Sequence, residues 1–207
     1  MARSVSSHAR LPWPFNFSVC INTITRLYTE SVEGIRQEAE ALGQVVTNFL
    51  NFAKPEKVSF APVTLEALAR RAGEDLRHEL PAGTTIDVRG EFGEIQGDDV
   101  LLRQVFGNLV RNAAEACDNA GVPPAIVIEG AIDRERGTCH VSVADNGPGI
   151  PDSARDRVFQ PFFTTRTRGT GLGLAIVQKI VVTHNGRVAV GASASGGARI
   201  DLTFPLA

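Results

Sequence analysis

Hydrophobic and polar positions change period along this chain, and each change marks an element. Residues 1–20 show no period: Pro12 and Pro14 flank Trp13 among serines and asparagines, and an irregular leader is expected. Tyr28, Val32, Ile35, Ala39, Leu42, Val46, Phe49 and Ala53 then recur at alternating spacings of four and three, a heptad seam. Charged residues such as Arg26, Glu30, Glu33, Arg36 and Glu40 occupy other positions, so a helix over 21–53 cannot bury its apolar stripe without a partner helix. Lys54-Pro55 ends it, because proline supplies no N–H and disfavours helical geometry just before itself.

Beyond this boundary the pattern is α+β. A short strand at Lys57 to Phe60 and a helix from Leu65 to Leu80, stopped by Pro81, come first. A strand at Thr85 to Arg89 precedes a helix capped by Asp98 or Asp99, running through Leu102, Val105, Phe106, Leu109, Val110 and Ala113 to Asn119, and closed by Gly121. Strands at Ala125 to Ala131 and Cys139 to Ala144 are separated by turn chemistry at Asp133 to Gly137. A third helix at Gly171 to Thr183 stops at Asn185-Gly186, and strands at Arg187 to Val190 and Arg199 to Phe204 finish the chain.

With 207 residues, 43% hydrophobic and 21% charged, the chain can bury one sizeable core plus an appendage. A net charge of −2 gives no basic field for nucleic acid or an anionic membrane, so neither partner is expected. Cys20, Cys117 and Cys139 stand far apart with no CxxC, which argues against a disulfide framework or a zinc site and suits a reducing cytoplasm. No apolar run approaches the roughly 20 residues of a membrane-spanning helix.

Four segments carry candidate chemistry. Asn108, Asn112 and Glu115 share one face of a helix at spacings of four and three; their oxygens suit a hard cation such as Mg²⁺, and equally suit a solvent-facing side. Asp145 ends a strand and opens the turn Asn146-Gly147-Pro148-Gly149, where a carboxylate can accept from an exocyclic amine while the glycines admit a planar ring. By itself that segment is an ordinary turn. Gly169-Thr170-Gly171-Leu172-Gly173 opens an apolar helix and offers free N–H groups to phosphate, but is neither a Walker A loop nor a dinucleotide fingerprint. Phe159 to Thr165, followed by Arg166 and Arg168, reads as a nucleotide lid or as a phenylalanine cluster beside two solvated arginines.

Taken in order, these segments resemble the N, G1, F and G2 boxes of the sensor histidine kinase ATP-binding domain, a member of the GHKL superfamily, over about Val58 to Ala207. The resemblance implies a two-layer α/β sandwich, a mixed sheet backed by helices, binding ATP with Mg²⁺. Asn112 and Asn108 would meet the metal and phosphates, with Arg111 as a further phosphate contact. Asp145 would read adenine, with Gly147 and Gly149 flanking the base. Gly169, Thr170, Gly171, Leu172 and Gly173 would hold the phosphate side, with Arg166 and Arg168 from the lid. The N box and short lid resemble the nitrogen-regulation-like branch.

The seam helix resembles the second helix of the dimerisation and phosphoacceptor hairpin, which implies a homodimer through 21–53, a remnant of the hairpin over 21–57, and a response-regulator receiver domain as partner. The His-Glu-x-x-Asn/Arg-Pro box of the first helix is not visible. His8 lacks any surrounding apolar period and reads as a histidine in a tail, so a truncated or degenerate kinase is expected; His78, His140 and His184 read as structural. Other readings are a non-catalytic nucleotide-binding dimerisation module, a serine-directed anti-sigma kinase, and a chaperone-type or mismatch-repair-type ATPase. The last would carry a glutamate base one turn before Asn112, where Asn108 stands.

Overall fold

The computed structural model describes residues 58–166 and 169–207, together with 26, 28, 29, 31–36, 39 and 43. The chain divides into two compact units, Met1–Thr47 and Asn48–Ala207. In the first, the described residues are helical, and Tyr28, Val32 and Ile35 of the heptad seam are exposed. Ala39 of the same seam is also helical and exposed; Leu42, Val46, Phe49 and Ala53, with the leader and His8, lie outside the described residues.

The second unit is α+β. Strands β1 (Ala61–Thr64) and β3 (Glu94–Gly97) form a small antiparallel pair. The main sheet runs β2 (Thr85–Gly90), β4 (Ala125–Asp133), β5 (Thr138–Ala144), β7 (Ala198–Pro205) and β6 (Arg187–Ala192) in that spatial order. Only the β2–β4 pair is parallel; the others are antiparallel, which makes the sheet mixed. Alternation sends Ile126, Ile128, Cys139, Val141, Val143, Ile200, Leu202 and Phe204 to one buried face. That face packs on helices α1 (Leu65–Leu76), α2 (Asp99–Asn119) and α4 (Gly173–Thr183), the second layer. A short α3 (Asp152–Arg155) lies between the glycine-rich segments.

Helix α2 gives the site its platform. Asp98 caps it, Oδ1 accepting from Val100 N–H and Leu101 N–H at 3.1 Å each, and Gly121 leaves it at φ +69°. Leu102, Val105, Phe106, Leu109, Val110, Ala113, Ala114 and Cys117 are buried along one stripe, which leaves the Asn108, Asn112, Glu115 stripe to face elsewhere. Burial raises the Asp98 carboxyl, but the N–H groups of Ser59, Leu101 and Val100, with His184 nearby, outweigh it and hold the group below its usual value of 3.8.

Two expectations need correction. The first strand lies at Ala61–Thr64, not at Lys57 to Phe60; residues 58–60 belong to no strand, and the ladder starts where Ala61 meets Gly97 on a strand the hydrophobic pattern did not announce. Pro62 is tolerated there because β1 has a partner on one side only. The helix from Leu65 ends at Leu76 rather than Leu80, since Arg77 and Glu79 N–H groups turn to the carbonyls three residues back, Glu74 and Leu76.

His184, 2% exposed, ties the helical layer together. Its Nδ1 donates to Ile180 O at 2.7 Å, which leaves Nε2 to accept from Asp98 N–H at 2.9 Å, and Phe60 meets the ring edge-on at 5.3 Å. The end of α4 is thereby fastened to the start of α2. Replacing it (His184→Ala) strands the Asp98 N–H and opens a cavity, with an expected loss of about 1–3 kcal/mol in denaturant unfolding; unchanged stability would refute the tie.

Candidate functional site

Asp145 follows the last residue of β5, the middle strand of the sheet, and is 6% exposed. Its Oδ1 accepts from Gly147 N–H at 2.9 Å and from Ala198 N–H at 3.0 Å. Its backbone is pinned as well: the N–H donates to Ala198 O at 3.0 Å, and the carbonyl accepts from Ser195 Oγ at 2.9 Å. One carboxylate oxygen is therefore spent on fixing the turn, and Oδ2 keeps acceptor capacity for a ligand. Next to it, Asn146 is structural: Oδ1 accepts from Ala125 N–H at 2.8 Å and from the Cys117 thiol at 3.2 Å, while Nδ2 donates to Pro123 O at 3.1 Å. Burial pushes the Cys117 thiol up, and the Asp145 carboxylate pushes it further, so it stays a donor.

Gly197 was not among the residues singled out in the sequence. A Cβ on Gly197 would fall 2.2 Å from Asp145 Oδ1 and 2.3 Å from its carbonyl oxygen, so the carboxylate is seated against bare backbone. Gly149, at φ +75°, faces the same glycine pair, with Gly196 O at 3.3 Å from where its Cβ would be. A signal existed in the sequence, the double glycine before a strand, but it does not say which side chain comes close.

On α2, Asn108 Nδ2 is buried without a hydrogen-bond partner, alone among the described side-chain atoms in this respect. Such an atom is costly unless something external satisfies it. One turn on, the Asn112 amide lies beside Gly173, whose Cβ would stand 3.3 Å from Asn112 Nδ2. Gly173 begins α4, and no side chain caps that helix, so its first-turn N–H groups are open to an acceptor. Thr170 Oγ1 accepts from Leu172 N–H at 3.4 Å, and Leu172 is fully buried under the turn. Gly171, at φ +65°, has Phe162 backbone atoms 2.4 to 2.8 Å from its Cβ position and accepts from Phe162 N–H at 2.9 Å; no side chain fits there. The F and G2 segments are thus clamped together.

The structure joins Arg166 to the N-box helix through Glu115 and the Asn112 carbonyl. Arg111 is engaged elsewhere, its Nη2 on Glu79 Oε2 at 3.0 Å. Arg168 lies outside the described residues. Among the described residues, no group of three His, Cys, Asp or Glu side chains could hold a metal ion. A cation here would rest on amide oxygens of Asn108 and Asn112 plus ligand oxygens and water, the sparse protein ligation Mg²⁺ tolerates. Among the described residues no helix is long and apolar enough to cross a membrane.

Residues 97–207 match the family described as Histidine kinase-, DNA gyrase B-, and HSP90-like ATPase. The chain is 32% identical over 179 residues to the sensor histidine kinase ZraS of Escherichia coli O157:H7, covering 82% of this chain and 37% of that protein. It spans well under half the length of the curated relatives it matches. Among solved structures, full-length ShkA in complex with AMPPNP superposes with a TM-score of 0.70 at 30% identity, over 86% of this chain and 39% of that one. The histidine kinase ThkA in complex with the response regulator protein TrrA gives 0.66 at 25% identity, over 95% and 53%.

Changing Gly197→Ala should drive Asp145 from its seat. The expected result is a stable fold with at least a tenfold loss of whatever ligand the site takes, or a fall in melting temperature if the sheet end yields instead; a protein unchanged in both would show that the close approach does not matter.

Proposed function

Since the chain belongs to the histidine kinase-, DNA gyrase B- and HSP90-like ATPase family, we propose that residues 58–207 are the ATP-binding catalytic domain of a two-component sensor histidine kinase, which transfers the γ-phosphoryl group of ATP to a histidine for relay to a response-regulator aspartate. The observation that carries this reading is the buried carboxylate of Asp145, anchored through one oxygen with the other left for an exocyclic amine such as adenine N6. Gly147 and Gly149 would flank the base.

The unpartnered Asn108 Nδ2 and the uncapped start of α4 at Gly173, beside Asn112, support a phosphate site along the Asn108–Asn112 face of α2. Asn112 and Asn108 would contribute oxygen ligands to Mg²⁺, which when bound would neutralise negative charge on the phosphates. The protein's part is positioning: Gly169 to Gly173 shape the phosphate loop, Leu172 anchors it in the core, and Arg166 and Arg168 would be the lid's cationic contacts. Arg111 serves as a phosphate contact only by leaving Glu79.

The helical residues between 26 and 43, with Tyr28, Val32 and Ile35 exposed, support a homodimer through 21–53, with 21–57 as part of a dimerisation and phosphoacceptor hairpin and 1–20 as a leader. The relatives named as sensor histidine kinases, and the kinase solved with a response regulator, support a receiver domain as partner, and three widely spaced cysteines with no CxxC support a cytoplasmic setting.

Purified chain incubated with γ-labelled ATP, Mg²⁺ and a supplied phosphoacceptor hairpin should yield acid-labile label on the hairpin; ATP binding without transfer would refute the kinase reading. Asp145→Asn should cost about 1.5–3 kcal/mol of ATP affinity, roughly 10- to 150-fold, because it replaces a charge-assisted acceptor with an amide. Equal affinity would remove the adenine assignment. Asn112→Ala should weaken ATP binding more with Mg²⁺ than with EDTA; equal losses would count against it as a metal ligand.

A further inference from the structure

Arg166 spends its guanidinium on one turn of α2. Nη1 donates to Glu115 Oε2 at 2.5 Å and Nη2 to the carbonyl of Asn112 at 2.7 Å. Its backbone is held too: the N–H donates to Thr164 Oγ1 at 3.0 Å, and that hydroxyl donates back to Arg166 O at 3.4 Å. The charge therefore sits on the residue whose amide abuts Gly173 and the open end of α4, yet a carboxylate neutralises it. Glu115 shares the polar stripe of Asn108 and Asn112, whose oxygens suit a hard cation, but its carboxylate is turned to Arg166 instead.

An ion pair this open to solvent is weak, with side chains 29% exposed for Arg166 and 50% for Glu115. A triphosphate carries more negative charge than one carboxylate and accepts bidentate guanidinium contacts equally well. We propose that Glu115 is a positioning residue that parks Arg166 beside the phosphate subsite and gives it up to the β- and γ-phosphates of bound ATP. The inference rests on reading the site as one for ATP. Glu115 and the phosphates then compete for one guanidinium. The competition lowers affinity for ATP, acts less on ADP, and leaves AMP untouched.

The experiment is calorimetric titration of ATP, ADP and AMP with Mg²⁺ onto the wild-type chain, Glu115→Gln, Glu115→Ala, Arg166→Ala and the double variant Glu115→Gln/Arg166→Ala, with circular dichroism confirming the fold. Removing the Glu115 charge should tighten ATP about threefold, the size expected of an exposed pair, leave AMP unchanged, and bring no gain once Arg166 is alanine. Three results would overturn the proposal alone: no gain or weaker ATP binding in both Glu115 variants, as for a brace that merely holds the loop; the same gain without Arg166, as for plain repulsion; or an equal gain for AMP. A folded wild-type chain that binds no adenine nucleotide would overturn the ATP reading and this proposal with it.

Discussion

The site depends on a carboxylate that the fold cannot release. Asp145 sits where the central strand of the sheet ends, and two N–H groups from different parts of the chain, Gly147 and Ala198, converge on one of its oxygens. Burying a charge is costly unless hydrogen bonds compensate, and these bonds fix the side chain while leaving its second oxygen to do chemistry. The price is paid in glycines: no side chain fits at Gly197 against Asp145, and Gly147 is confined between Asp145 and Cys117. Asn146 then binds the same turn to the start of β4 and the end of α2, so the helix and the sheet cannot move independently at this point.

The other wall of the site follows from two helices that the core holds in register. α2 buries one stripe under the sheet and carries Asn108, Asn112 and Glu115 on another; α4 buries Ile176, Val177, Ile180 and Val181 and starts, uncapped, beside Asn112. At their far ends, His184 links the last turn of α4 to the Asp98 cap of α2. The apolar layer thus does more than stabilise. It sets the spacing between the Asn112 amide and the uncapped start of α4, where the phosphate chain is proposed to lie.

Much of this could be read in the sequence, because the main elements obey local rules. The α2 boundaries follow from an aspartate cap and a closing glycine, and Asn185 takes the left-handed conformation, φ +55°, that the Asn185-Gly186 signature implies. Strands β4, β5 and β7 announce themselves by alternation. What local pattern could not supply was pairing at a distance. β3 is a four-residue strand preceded by Gly93 and ending in Gly97, recognisable only through β1, and β1 in turn is marked by its pairing with β3 rather than by a pattern of its own. The same limit applies within the site. Asp145 and the glycine loops stood out as motifs, whereas Gly197 as the seat of Asp145, Glu79 as the partner of Arg111, and Glu115 as the partner of Arg166 depend on contacts across 32 to 52 positions of chain.

The buried carboxylate of Asp145 is proposed to select an adenine nucleotide. The most direct measurement compares equilibrium binding of Mg²⁺-ATP and Mg²⁺-GTP to the unmodified chain, since guanine presents a carbonyl where adenine presents an amine and an Asp145 oxygen could only repel it. The account predicts ATP binding with GTP weaker by at least an order of magnitude. Equal affinities, or no nucleotide bound by folded protein, would contradict it.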